Sequence, residues 1–277
     1  MTTEKELNDC YEAALKLIED AGQIIASRNS ERKTFVSKTG DSDLLTVTDE
    51  EVENLFKTKL SEKFPNHKFI GEEEFGVGIK SPLTDAPTWI IDPVDGTMNF
   101  VHGFPHSCIS IALMVNKITE IGIIYNPVLN QKFITRRGHG SFYNGQRIYV
   151  SGEKDIKKAL ITSGFGTSKD EQKLNIVNEN FLKLSKIVHG IRCLGAGALN
   201  MAMVAMGVAD ANYEMGTHIW DIAAADLLIR EAGGIVIDTN GGDLDLMSRR
   251  VLAAATPELA NEIAKHLTQY SPLPRDD

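Results

Sequence analysis

Residues 88–100 read "TWIIDPVDGTMNF". The run Trp89-Ile90-Ile91 is short and apolar, which fits a buried strand. It passes straight into Asp92, and Asp95 follows after Pro93 and Val94, with Gly96 and Thr97 closing a turn. Two carboxylates at the end of one buried strand raise each other's pKa unless a positive charge lies between them. A hard divalent cation such as magnesium, which prefers oxygen ligands, supplies that charge. The same residues also suit a polar turn whose aspartates cap backbone groups. This stretch by itself leaves both readings open.

Outward from it, helical and strand patterns interleave. Thr3 and Glu6 form a capping box, and Leu7, Tyr11, Ala14, Ile18, Ala21 and Ile25 recur at helical spacing, so a helix is expected over 4–28. Thr48 and Glu51 mark a second helix start, with Val52, Leu55, Phe56 and Leu60 as its apolar face. Residues 32–45 between them have turn composition and are expected as a loop. "HKFIGEEE" and "TWIID" read as strands ending in acid, and "SCISIALMV" alternates. Asn116-Lys117 and Asn144-Gly145 are hairpin turns. Further on, "GALNMAMVAMGVADANYEM" reads as a small-residue helix leading to a strand. "WDIAAADLLIREAGG" is a helix closed by Gly233 and Gly234, and "IVIDT" is a strand. The expected fold is a mixed α/β (α+β) layered sandwich of alternating helix and sheet layers, a single domain over 1–277 with a weak boundary near 150.

The 277 residues carry ample apolar material, 42% of the chain, and 24% charged residues, ordinary for a soluble protein. A net charge of -9 excludes a non-specific nucleic-acid binder, which needs a basic face. An anionic substrate stays possible, because bound cations reverse the sign of a local site. Cys10, Cys108 and Cys193 are dispersed, with no CxxC pair, and read as buried small residues in a reducing compartment. The polar, acidic N-terminal stretch is no secretory signal, and no apolar run is long enough for a membrane span, so a cytoplasmic protein is expected.

Acid recurs at strand ends and helix starts: Glu72, Glu73 and Glu74 in "FIGEEEF", Asp92 and Asp95, and Asp221 in "IWDIAAADLL". Each has a plain alternative, a solvated turn for the glutamates and a helix cap for Asp221. Taken together, the motifs carry a resemblance. "DPVDGTMNF", the "GEE" before it and "WDIAAADLLIREAGG" after it resemble, in order and spacing, the three motifs of the inositol monophosphatase family, closest to its animal members. The similarity runs over nearly the whole chain, through "YEMG" and "DLMSRR" to "PLPRDD".

The resemblance implies a sugar-phosphatase-like fold, a homodimer, and magnesium-dependent, lithium-sensitive release of phosphate from inositol monophosphates. It implies that Glu72, Asp92 and the Val94 carbonyl hold one magnesium. Asp92, Asp95 and Asp221 would hold a second, and Glu72 with water a third. Glu72 and Thr97 would orient the attacking water and take its proton, without a phosphoenzyme. Substrate contacts would come from Asp95, Gly96, Thr97, Asp221, Glu214 and the segment Gly195, Ala196, Gly197. That segment departs from the common animal form "GTAA": Ala196 replaces Thr and Gly197 replaces Ala. Lys38 and Asp49 also match family positions, with a solvated lysine and a helix cap as plain alternatives. His102, His106 and His218 read as hydrogen-bonded structural residues.

Three rivals are weighed. A haloacid-dehalogenase-like phosphatase needs its two aspartates at i and i+2, whereas Asp92 and Asp95 stand at i and i+3. A phosphatase for sugar bisphosphates or phosphoadenosine nucleotides shares the metal motifs, and "YEMG" speaks for inositol. A catalytically dead binding protein has no support, since every expected ligand is present.

Overall fold

The computed structural model describes residues 3–29, 36–40, 43–45, 47–76, 78 and 81–277, and no side chain between 30 and 46. Helix α1 (Glu4–Arg28) starts at Thr3, whose hydroxyl accepts from the Glu6 N–H. Strands β1 (Val36–Gly40) and β2 (Asp43–Leu45) pair antiparallel, so part of the expected loop is a hairpin. Helix α2 (Val47–Lys63) already contains Thr48, which therefore sits inside its first turn rather than ahead of it. Then come β3 (Lys68–Gly71), the short α3 (Glu72–Gly76), β4 (Thr88–Asp95) and the short α4 (Thr97–His102). A meander follows: β5 (Cys108–Val115), β6 (Ile118–Asn126), β7 (Gln131–Arg136), β8 (Gly140–Tyr143) and β9 (Gln146–Ile148). Asn116 and Lys117 between β5 and β6, and Asn144 and Gly145 between β8 and β9, all have positive φ, as two-residue hairpin turns require.

These strands form a seven-stranded sheet in the order β3 to β9, parallel only between β3 and β4. The rest of the chain builds β10 (Leu160–Ser163), α5 (Glu171–Ser185), β11 (Gly190–Arg192), α6 (Gly197–Ala205), β12 (Ala211–Met215), α7 (Ile219–Glu231), β13 (Ile235–Ile237), β14 (Arg250–Ala254) and α8 (Pro257–His266). Its five strands form a second sheet, β11-β10-β12-β14-β13.

Three cores alternate with the two sheets. Ile18 of α1 and Phe56 of α2 pack on Trp89, Ile91, Leu113 and Ile123 of one face of the first sheet. Ile90, Ala112 and Ile124 on its other face meet Leu199 of α6 and Ala224 and Leu228 of α7, which also cover Val236, Val251 and Ala253 of the second sheet. Tyr213, Leu252 and Ala254 on the far face pack against Leu184 of α5 and Leu259 and Ile263 of α8. The layers thus run helix, sheet, helix, sheet, helix, as the interleaved patterns predict. Because β4 and β5 are covered on both faces, nearly every residue in them is buried, and the alternation of "SCISIALMV" sorts residues between two cores rather than between core and solvent. Helix α7 rides close to the sheet because β6 has Gly122 beneath it; a Cβ built there would stand 2.8 Å from the Ala224 carbonyl oxygen. No helix among the described residues is long and apolar enough to cross a membrane.

Candidate active site

In a regular strand, residues three apart point to opposite faces. Asp92 and Asp95 escape this through a bulge: Asp92 pairs with Ser110 and Asp95 with Cys108, so β4 holds one residue more than β5 over the same span. The extra residue turns both carboxylates toward one place. Asp92 also accepts the Val94 N–H at 3.0 Å, which fixes the turn around Pro93. Gly96 then starts α4 with φ +83. A Cβ on it would lie 3.0 Å from the Gly195 carbonyl oxygen and 3.1 Å from that of His106, so only glycine fits.

Asp221 arrives from the other sheet's side, at the first turn of α7. It is not the cap. His218 holds that position, and Asp221 Oδ2 accepts the His218 N–H at 2.7 Å, the return half of a capping box. The C-terminal residues brace this turn: Asp276 accepts from the Ile219 N–H at 2.9 Å and meets His218 Nδ1 at 2.7 Å, while Arg249 lies 3.0 Å from His218 Nε2. His218, stacked on Trp220, is thus a structural residue.

Ligand oxygens of Asp92, Asp95 and Asp221 converge to within 4.8 Å of one another. Burial pushes the Asp92 carboxyl well up, and the charges of Glu72, Asp95 and Asp221 push it further. Burial likewise lifts Asp95 to about 7, against the pull of the Ala198 and Gly197 amides, and Asp221 to about 7, with Asp95 adding to it. Two buried carboxyls and a half-buried third, with an all-oxygen donor set, fit a hard divalent ion such as magnesium. Glu72, the first residue of α3, lies close enough to add its charge to the cluster at Asp92.

Thr97, first in α4, donates its hydroxyl proton to the Val94 carbonyl at 2.9 Å, with the buried Asp49 carboxylate at 3.4 Å. Gly197 and Ala198 turn their N–H groups onto Asp95, at 3.0 and 2.7 Å, so the Gly197 amide is committed to that carboxylate. Gly195 and the buried Ala196 pass against Asn99 and Gly96. Glu214 stands at the far edge on β12. Its Oε1 accepts from Asn200 at 3.0 Å and Asn212 at 3.4 Å, and Oε2 faces Gly164 and Gly197. Lys38 lies on β1, and its side chain falls outside what is described.

Sequence reasoning missed two supports. Glu53 of α2 is buried and accepts from the Glu73 and Glu74 N–H groups at 2.8 and 3.3 Å, holding the start of α3 and hence Glu72. Lys57 neutralises it from one turn on. Cys10 and Cys108 are buried as expected, whereas Cys193, just after the edge strand β11, is exposed; the Cys108 thiol also points at Asp95 Oδ2, 3.6 Å away.

The model of the inositol monophosphatase family matches residues 6–271. The chain belongs to the inositol monophosphatase family. Inositol monophosphatase 1 of Bos taurus is 46% identical over 97% of this chain and 97% of its own. Inositol monophosphatase 2 of Homo sapiens is 48% identical over 94% of this chain and 90% of its own. Among solved structures, the Thermotoga maritima IMPase superposes with a TM-score of 0.83 at 29% identity, covering 93% of this chain and 96% of that one. The extragenic suppressor protein suhB from Bartonella henselae gives the same TM-score at 28% identity, with 93% and 98% covered. The chain is accordingly a phosphatase with the layered fold of these enzymes.

Proposed function

We propose that this phosphatase hydrolyses inositol monophosphates to free myo-inositol and phosphate, with magnesium as cofactor. The observation that carries the reading is the convergence of Asp92, Asp95 and Asp221 beside Glu72. Glu72, Asp92 and the Val94 carbonyl would hold one ion, and Asp92, Asp95 and Asp221 another, with Glu72 the main protein ligand of a third. Bound magnesium supplies charge neutralisation and Lewis acidity.

The chain's own groups do the rest. The Gly96 and Thr97 amides bind the phosphate, since a turn that opens a helix presents donors to an anion. The Thr97 hydroxyl donates its hydrogen bond to the Val94 carbonyl or to Asp49, which leaves its lone pairs free to accept a hydrogen bond from the attacking water. Glu72 would take that water's proton. Asp95 is held rigid by two amides and a thiol, so its oxygens keep their direction through the reaction. Glu214 offers Oε2 as an acceptor to a ring hydroxyl. Attack by water directly on phosphorus needs no phosphoenzyme, and none of these carboxylates has the i, i+2 spacing of an aspartyl nucleophile pair.

A phosphate-release screen over inositol monophosphates, sugar phosphates and bisphosphates tests the reading. Inositol monophosphates should rank first, and a clear preference for bisphosphates would overturn it. Lithium inhibition and a homodimer are expected from the family resemblance; insensitivity to lithium, or a concentration-independent monomer mass in sedimentation, would count against each.

A further inference from the structure

Lys173, on α5, is only 2% exposed. Its backbone N–H bonds Asp170, but among the described residues no hydrogen bond or ion pair reaches its Nζ. Burial holds the pKa of this ammonium down. Sequestering a cation in this way is costly unless something uses it.

The ammonium occupies a notch between two loops. A Cβ built on Gly166 would lie 2.7 Å from Nζ, and one built on Gly216 would also lie 2.7 Å from it. Any side chain at either position would displace the charge. Both loops border Glu214. Gly216 follows it by two residues, and a Cβ on Gly164 would be 3.7 Å from Glu214 Oε2. On the other side of Oε2 a Cβ on Gly197 would be 3.8 Å from that oxygen and 3.7 Å from the Asp221 Cβ. Gly197 thus lies between Asp221 and Glu214, and the Lys173 ammonium rests against Gly166 and Gly216, two residues along the chain from Gly164 and Glu214, near enough to feel the Glu214 charge. Lys173 and Glu214 feel each other's charge without pairing directly, so both keep hydrogen-bonding capacity for a ligand.

We propose that Lys173 is a second specificity residue of the ring wall, donating to the hydroxyl adjacent to the one that Glu214 accepts from. An acceptor carboxylate beside a three-donor ammonium matches two neighbouring hydroxyls, one used as donor and one as acceptor. The wall would then select phosphomonoesters with a vicinal diol remote from the scissile ester. This inference rests on the inositol phosphate reading above.

Steady-state kinetics of Lys173→Met and Gly166→Ala, each against the parent, test it with two substrates: inositol 1-phosphate and p-nitrophenyl phosphate, which has no hydroxyl. The first variant removes the charge and keeps the stem; the second keeps the lysine and pushes it from its notch. A hydrogen bond to a charged group is worth about 1.5–3 kcal/mol, so the ratio of kcat/KM for inositol 1-phosphate over the aryl phosphate should fall about 10- to 100-fold in both, mainly through KM. An equal fall on both substrates would reduce Lys173 to a structural residue and overturn the proposal, as would an unchanged ratio. A parent enzyme that hydrolyses the aryl phosphate but not inositol 1-phosphate would instead sink the substrate reading itself.

Discussion

The Thr97 hydroxyl has one hydrogen and two acceptors in reach, the Val94 carbonyl at 2.9 Å and the Asp49 carboxylate at 3.4 Å. Removing it leaves the backbone amides that bind phosphate and takes away a hydrogen-bond acceptor that orients the attacking water. Thr97→Ala should therefore lower turnover by about 100-fold with KM little changed, the usual effect of misplacing an attacking group by about 1 Å. If Thr97 only stabilises its helix, turnover would stay within a few-fold of the parent while the melting temperature falls. Asp95→Asn should act differently. The amide that replaces one oxygen would confront the Gly197 or Ala198 N–H, and a charge leaves the cluster. Magnesium affinity in calorimetry should drop, and the magnesium needed for half-maximal activity should rise; unchanged affinity would remove Asp95 from the metal site. Both residues were legible in the sequence because they belong to one contiguous motif. Glu53 and Cys108 act through contacts 20 and 13 residues away along the chain, and a single acid or thiol on an amphipathic element carries no mark of what it will touch.

At the scale of elements, Glu72 depends on how α3 begins. The Glu53 carboxylate fills the space in front of that helix so closely that a Cβ on Gly71 would come within 2.6 Å of it. Glu53→Ala leaves two helix-start N–H groups without their acceptor and should cost about 1–3 kcal/mol of stability. If Glu53 positions Glu72, kcat should fall in this variant at temperatures where it remains folded, and Glu53→Gln, which keeps an acceptor oxygen, should recover part of it; full activity in the folded Ala variant would confine Glu53 to stability. The bounds of α1, the two Asn-led hairpins and the Gly-closed α7 could be read directly, because capping and turn residues act locally. The bulge in β4 could not. Asp-Pro-Val-Asp announces a turn, but only pairing with β5 shows that the strand continues through it and brings both carboxylates to one side. The pairing of β1 with β2 is not legible either, because the Ser, Lys, Gly and Asp residues of these strands have turn composition and no clean alternation.

Across the whole molecule, two sheets and three helix layers bring Asp92 and Asp95 of β4 and Asp221 of α7 to one point, within reach of the Glu72 charge on α3, and folding must desolvate these acids together. Burial lifts Asp95 and Asp221 from the ordinary 3.8 to about 7, and lifts Asp92 as well. The folded state therefore binds protons more tightly than the unfolded chain. In chelator, stability should fall as pH rises from about 4 to about 7 and then level off. Magnesium, which favours the ionised carboxylates, should stabilise most at the upper end of that range; a melting temperature in chelator that rises steadily with pH would contradict this. The layered fold was legible in the sequence because helical and strand periodicities alternate along the chain, whereas which acids meet is a property of the packed layers alone. The most direct test is phosphate release from inositol 1-phosphate by protein dialysed against chelator and then titrated with magnesium. The account predicts no turnover at the start, saturable recovery with added magnesium, and no such recovery at the same concentrations in Asp95→Asn. Full turnover in excess chelator would contradict it.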